Sequence, residues 1–86
     1  MPTYLITSPH TQEDCTHVLQ DLLATGYLTH FDWGCKDGEH TGWAIIEATN
    51  KAEAMLAVPS FARGSARVVQ IAKFTPEEVR GMHRKK

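Results

Sequence analysis

Apolar positions along the chain change period several times, and each change marks an element. Thr3 to Thr7 (Thr-Tyr-Leu-Ile-Thr) alternates and is β-rich, and Ser8-Pro9-His10 ends it, because proline cannot donate to a strand ladder. Cys15, Val18, Leu19, Leu22 and Leu23 then recur at helical spacing. Thr11 stands as the N-cap of this first helix, Glu13 and Asp14 set negative charge in its first turn, and Gly26 is its stop. Leu28 to Cys35 reads as a second strand, Lys36-Asp37-Gly38-Glu39 as a hairpin turn, and His40 to Ala48 as a third strand. Asn50 to Glu53 has the form of a capping box that opens a short helix. Ala52, Met55 and Leu56 form its small apolar face, and Pro59 closes it. Ala66 to Phe74 is a fourth strand, and Thr75-Pro76-Glu77-Glu78 starts a third helix with proline where a first-turn N–H has no partner anyway. The predicted fold is α+β: one ferredoxin-like domain over residues 1–86, order β-α-β-β-α-β, with a four-stranded antiparallel sheet and an added C-terminal helix.

The hairpin turn fixes a register. It sets Cys35 opposite His40, Trp33 opposite Gly42 and Phe31 opposite Ala44, and on the alternate face Asp32 opposite Trp43 and His30 opposite Ile45. One face, with Phe31, Trp33, Ala44 and Ile46, suits the underside of two helices. The other presents His30, Asp32, Trp43, Ile45 and Glu47, joined from the first strand by Tyr4 and Ile6 or by Leu5. A sheet covered on one side only leaves its other side to solvent, a ligand or a partner.

Composition narrows the class. Hydrophobic residues at 42% and charged residues at 22% are those of a folded soluble domain. No apolar run is long enough to span a bilayer and no leader pattern opens the chain, so the expectation is a cytoplasmic protein with no membrane partner. The net charge of −1 argues against nucleic acid, which calls for clustered Lys and Arg; only the His83-Arg84-Lys85-Lys86 tail is such a cluster. The mean conceals an asymmetry of −6 over residues 1–50 and +5 over residues 51–86, which suits antiparallel association of two copies. Cys15 and Cys35 match neither a disulfide framework nor a CxxC pair and read as reduced thiols.

The element order, the Trp33-Gly34 and Gly42-Trp43 hairpin, and Val58-Pro59-Ser60-Phe61 before Val68-Val69-Gln70-Ile71 resemble the dimeric α/β-barrel superfamily. Within it, the chain resembles the muconolactone isomerase family and small relatives of similar length. The resemblance implies a homodimer whose two sheets face each other. In some members it also implies a small pocket for aromatic-pathway metabolites, polyketides or haem. No catalytic position of the family maps onto this chain.

Two constellations carry possible chemistry. His30 and Asp32, at i and i+2 on a strand, would share a face, so the carboxylate could orient the imidazole for proton transfer on a small organic acid or lactone, with Glu47 as second proton carrier and Tyr4 and Trp43 lining the pocket. The same face could instead be a non-catalytic dimerisation or protein-interaction surface. Cys35 and His40 flank the hairpin turn, and zinc accepts thiolate and imidazole together. A third ligand could come from His10 or Cys15 at the start of the first helix, from His17 one turn into it, or from a partner subunit. The glycines at 34, 38 and 42 join strand to strand, so they are turn residues and not a phosphate loop, and no cofactor is expected.

Overall fold

A computed structural model describes residues 1–84; Lys85 and Lys86 of the basic tail lie outside the described residues, as do the side chains of His83 and Arg84. The elements are β1 (Thr3–Pro9), α1 (Cys15–Thr25), β2 (Phe31–Trp33), β3 (Thr41–Glu47), α2 (Lys51–Met55), β4 (Arg67–Ile71) and α3 (Pro76–Arg84). Short 3-10 turns occupy Leu28–His30, Cys35–Asp37 and Ser60–Ser65. The four strands form one antiparallel sheet in the order β2-β3-β1-β4.

The hairpin register is the one its turn dictates: Phe31 faces Ala44, Asp32 faces Trp43 and Trp33 faces Gly42. β2 is much shorter than the run Leu28 to Cys35, because Leu28–His30 coils into a 3-10 turn after α1 and Cys35–Asp37 into another before β3. His30 therefore precedes the strand instead of lying on it. Trp33 lies flat across its partner, where a Cβ on Gly42 would stand 2.6 Å from Trp33 Cζ3, so only glycine admits the ring. Gly38, at φ 86°, turns the loop back toward β3.

α1 begins at Cys15, later than its N-terminal signals suggest, although the Thr11 hydroxyl still accepts the Asp14 N–H at 3.1 Å. The chain spends residues 11–14 on a turn that carries it from the end of β1 to the start of the helix. The N-cap half of the α2 capping box forms, with Asn50 Oδ1 accepting from Glu53 N at 2.8 Å, while Glu53 Oε1 reaches one residue further back and accepts from Thr49 N at 3.1 Å. Its buried residue is Ala54, while Ala52 and Leu56 point outward.

Ile6, Val18, Leu22, Phe31, Ala44, Ala57, Val58 and Ala62 form the main core between the sheet and the α1 and α2 layer. The larger aliphatics among them contribute about 1.5–3 kcal/mol each on burial. Tyr4, Ala48 and Ala54 make a smaller cluster beside it. Tyr4 thus faces the helices, at 4% exposure, and not the open sheet face where it was expected to line a pocket with Trp43. The reason is parity: Tyr4 pairs with Ile46 and Ile6 with Ala44, both on the covered face, so Leu5 opposite Ile45 is the β1 residue that joins the open one.

Candidate metal centre

The pairing of β1 with β3 puts Pro9 opposite Thr41, so the next positions outward, His10 and His40, meet at the same end of the sheet. His10 N donates to His40 O at 2.9 Å and closes that corner. The pairing of β2 with β3 puts Trp33 opposite Gly42, and the chain from there brings Cys35 beside His40. Gly34 N donates to Thr41 O at 3.0 Å, and the Gly34 carbonyl accepts from Asp37 N and Glu39 N, which holds the Cys35 turn over the strand ends. The link from β1 to α1 is too short to travel far, so Cys15, the first residue of the helix, opens at this same end. Three elements thereby deliver four donors to one place.

One ligand atom each from His10, Cys15, Cys35 and His40 lies within 4.8 Å of all the others, and all four residues are half-buried. Cys35 Sγ is 3.5 Å from His10 Nε2. Zinc bonds of about 2.3 Å to sulfur and about 2.0–2.1 Å to nitrogen place tetrahedral S and N neighbours about 3.5 Å apart and two sulfurs about 3.8 Å apart. The cluster therefore closes on an ion with side-chain shifts of about 1 Å or less. Nδ1 of His10 and Nδ1 of His40 are both buried without a hydrogen-bond partner, while His10 meets Cys35 through its other ring nitrogen, Nε2. The rings of His10 and His40 meet edge to face at 5.7 Å, with Trp33 at 6.1 Å from His10 as the wall of the site.

The electrostatics favour a neutral imidazole and a protonated thiol in the absence of a cation. Burial, and after it the facing His40 ring, hold His10 below the usual histidine range, against a smaller opposing pull from Asp14. Burial pushes the Cys35 thiol up, and the neighbouring Cys15 thiol adds to the effect. A cation would reverse the balance for the thiols, since a coordinated thiol loses its proton.

Sequence reasoning paired Cys35 with His40 and named His10 and Cys15 only among several possible partners. The signal that would have selected them is the register of β1 on β3, which hairpin arithmetic does not reach. His17 stands apart, stacked on Phe61 at 4.2 Å. On the opposite, open face, His30, Asp32 and Trp43 border one shallow depression of about 250 Å³, and Glu47 lines an adjoining one with Tyr27 and His30. The His30 ring packs against Tyr27 at 5.4 Å, and both His30 and Asp32 are exposed. No helix among the described residues is long and apolar enough to cross a membrane. Comparisons with protein-family models, curated proteins and solved structures found no match to this chain.

Proposed function

We propose that this chain is a zinc-binding protein whose ion is held by His10, Cys15, Cys35 and His40. The convergence of two thiols and two imidazoles from three separate elements carries this reading. Two sulfur and two nitrogen donors suit zinc and disfavour magnesium or calcium, which select oxygen. Four protein ligands leave no open position, so the ion acts as a structural or regulated clamp between the β1–α1 corner and the β2–β3 loop, and not as a Lewis acid. Elemental analysis and native mass spectrometry of untagged protein purified without added metal are expected to give one zinc per chain, lost on substitution of Cys35 or His40. Absence of stoichiometric retention after dialysis against zinc, nickel and copper overturns the reading.

A second reading rests on the depression shared by His30, Asp32 and Trp43: acid–base chemistry on a small organic acid, with His30 moving the proton. Loss of turnover in His30→Ala with the fold intact would support it, and an unchanged rate would remove it. The element order and the strand order β2-β3-β1-β4 support the ferredoxin-like class. The uncovered sheet face, with Ile45 64% exposed, supports the homodimeric form of that fold.

A further inference from the structure

The last segment of the chain is a formed element with nothing beneath it. Residues 72–80 are all exposed, including Phe74 at 66% and Val79 at 49%, and Met82 follows at 54%. Yet α3 carries a reciprocal capping box, with Glu78 N donating to Thr75 Oγ1 at 3.1 Å and Thr75 N donating to Glu78 Oε1 at 3.2 Å. Arg80 and Glu77 add an ion pair one turn along. With Thr75 as cap, Phe74 and Val79 occupy the two positions of a hydrophobic staple, and Met82 continues that side one turn on. The helix is thus specified together with one apolar stripe, and the stripe faces solvent.

The shape of the molecule agrees. Its radius of gyration is 16.0 Å and its longest dimension 52 Å, against about 12 Å for the radius of a compact chain of this length. The arm leaves β4 at the rim of an apolar trough of about 430 Å³ on the open sheet face, lined by Thr3, Ile45, Ile71, Ala72 and Lys73. The charge on that face is polar in the same sense as the chain: Asp32 and Glu47 lie toward β2 and β3, Arg67 and Lys73 toward β4. A two-fold axis running along the strands lays the β4 side of one sheet over the β2–β3 side of the other and pairs these charges.

We propose that the arm from Ala72 through α3 is an exchanged arm, with its Phe74, Val79 and Met82 stripe seated on the open sheet face of a second copy of this chain. The proposal rests on the homodimer put forward above and specifies what holds it. A reciprocal exchange covers both apolar surfaces at once, the trough and the stripe, and uses a helix whose first turn is already capped. It places Lys73, at the root of each arm, against the acidic side of the other copy's sheet.

Analytical ultracentrifugation of the full chain tests it, run with zinc and again with a chelator, alongside Ile45→Glu and a chain ending at Ala72. The expected result is twice the 9.6 kDa chain mass in both buffers, monomers for Ile45→Glu with an unchanged circular-dichroism spectrum, and a dissociation constant raised about 100-fold or more by removing the arm. A full chain that stays monomeric at high micromolar concentration overturns both the dimer and the arm. A dimer that survives loss of the arm overturns the exchange and leaves the sheet-to-sheet dimer standing. A dimer that the chelator dissolves while the circular-dichroism spectrum stays native is metal-bridged and overturns the proposal as well.

Discussion

At the scale of single residues, the four donors are unequal in what they do without metal. Cys35 is the most central, because its sulfur touches the His10 ring and its turn is held by the Gly34 carbonyl. Cys35→Ser is expected to weaken zinc binding by about 100-fold or more, since a quarter of the coordination energy goes with the thiolate. His17→Ala, which removes the imidazole stacked on Phe61, should leave affinity unchanged; competition with a chromogenic chelator measures both. The pH dependence follows from the same environment. Burial keeps the Cys35 thiol protonated above its usual range and His10 deprotonated below its own. Zinc must then displace the Cys35 proton but none from His10 near neutrality, so affinity rises with pH. Calorimetry in two buffers of different ionisation enthalpy should count the protons released. Gly42→Ala acts on the wall instead of the ligands: its Cβ would push Trp33 off the strand, at a cost of about 1–3 kcal/mol, read from denaturant unfolding.

At the scale of elements, the site joins segments that strand pairing alone leaves loosely coupled. β2 has three residues and the loop after it is mostly 3-10 turn, so the Gly34–His40 stretch depends on a few backbone bonds. Zinc is expected to slow amide exchange across residues 34–40 and 10–15 together, and not in α3, which lies at the other end of the chain and shares no ligand. Equal protection throughout would mean that the ion acts on global stability only. α3 has its own sensitivity: Thr75→Ala removes the hydroxyl that caps it and should cost the helix about 1 kcal/mol, seen as lost helicity with the core transition unmoved. These contrasts also explain what was legible in the sequence. The β2–β3 register could be read because a short turn sets it locally, and the faces of Phe31, Trp33, Ala44 and Ile46 followed. The face of Tyr4 and the meeting of His10 with His40 could not be read, because both depend on how β1 lies against β3, strands separated in sequence by α1 and β2. Leu28–His30 has strand composition but follows directly on the Gly26 stop of α1, and the chain spends those residues turning.

At the scale of the whole molecule, the core is thin for what it has to hold. Among its buried apolar residues, Ala44, Ala48, Ala54, Ala57 and Ala62 stand beside only six larger ones. Alanine brings the helices close to the sheet but removes little area from water, and a chain of 86 residues is in the range where a staple commonly supplements the core. The metal site is placed to be that staple, because it ties the first loop, the first helix and the central hairpin at the sheet end opposite the small Tyr4, Ala48 and Ala54 cluster. Zinc at about 100 times its dissociation constant would add about 2.7 kcal/mol to the native state. For a domain of this size that corresponds to a rise in melting temperature of about 10–20 °C. Thermal unfolding with zinc and with a chelator should differ by that margin, and the difference should vanish in the double variant Cys15→Ser, Cys35→Ser. If the chelated protein melts as high as the zinc-loaded one, the folded chain holds zinc no better than the unfolded chain does, and the cluster is not a staple. The alanine-rich core would then hold the fold alone.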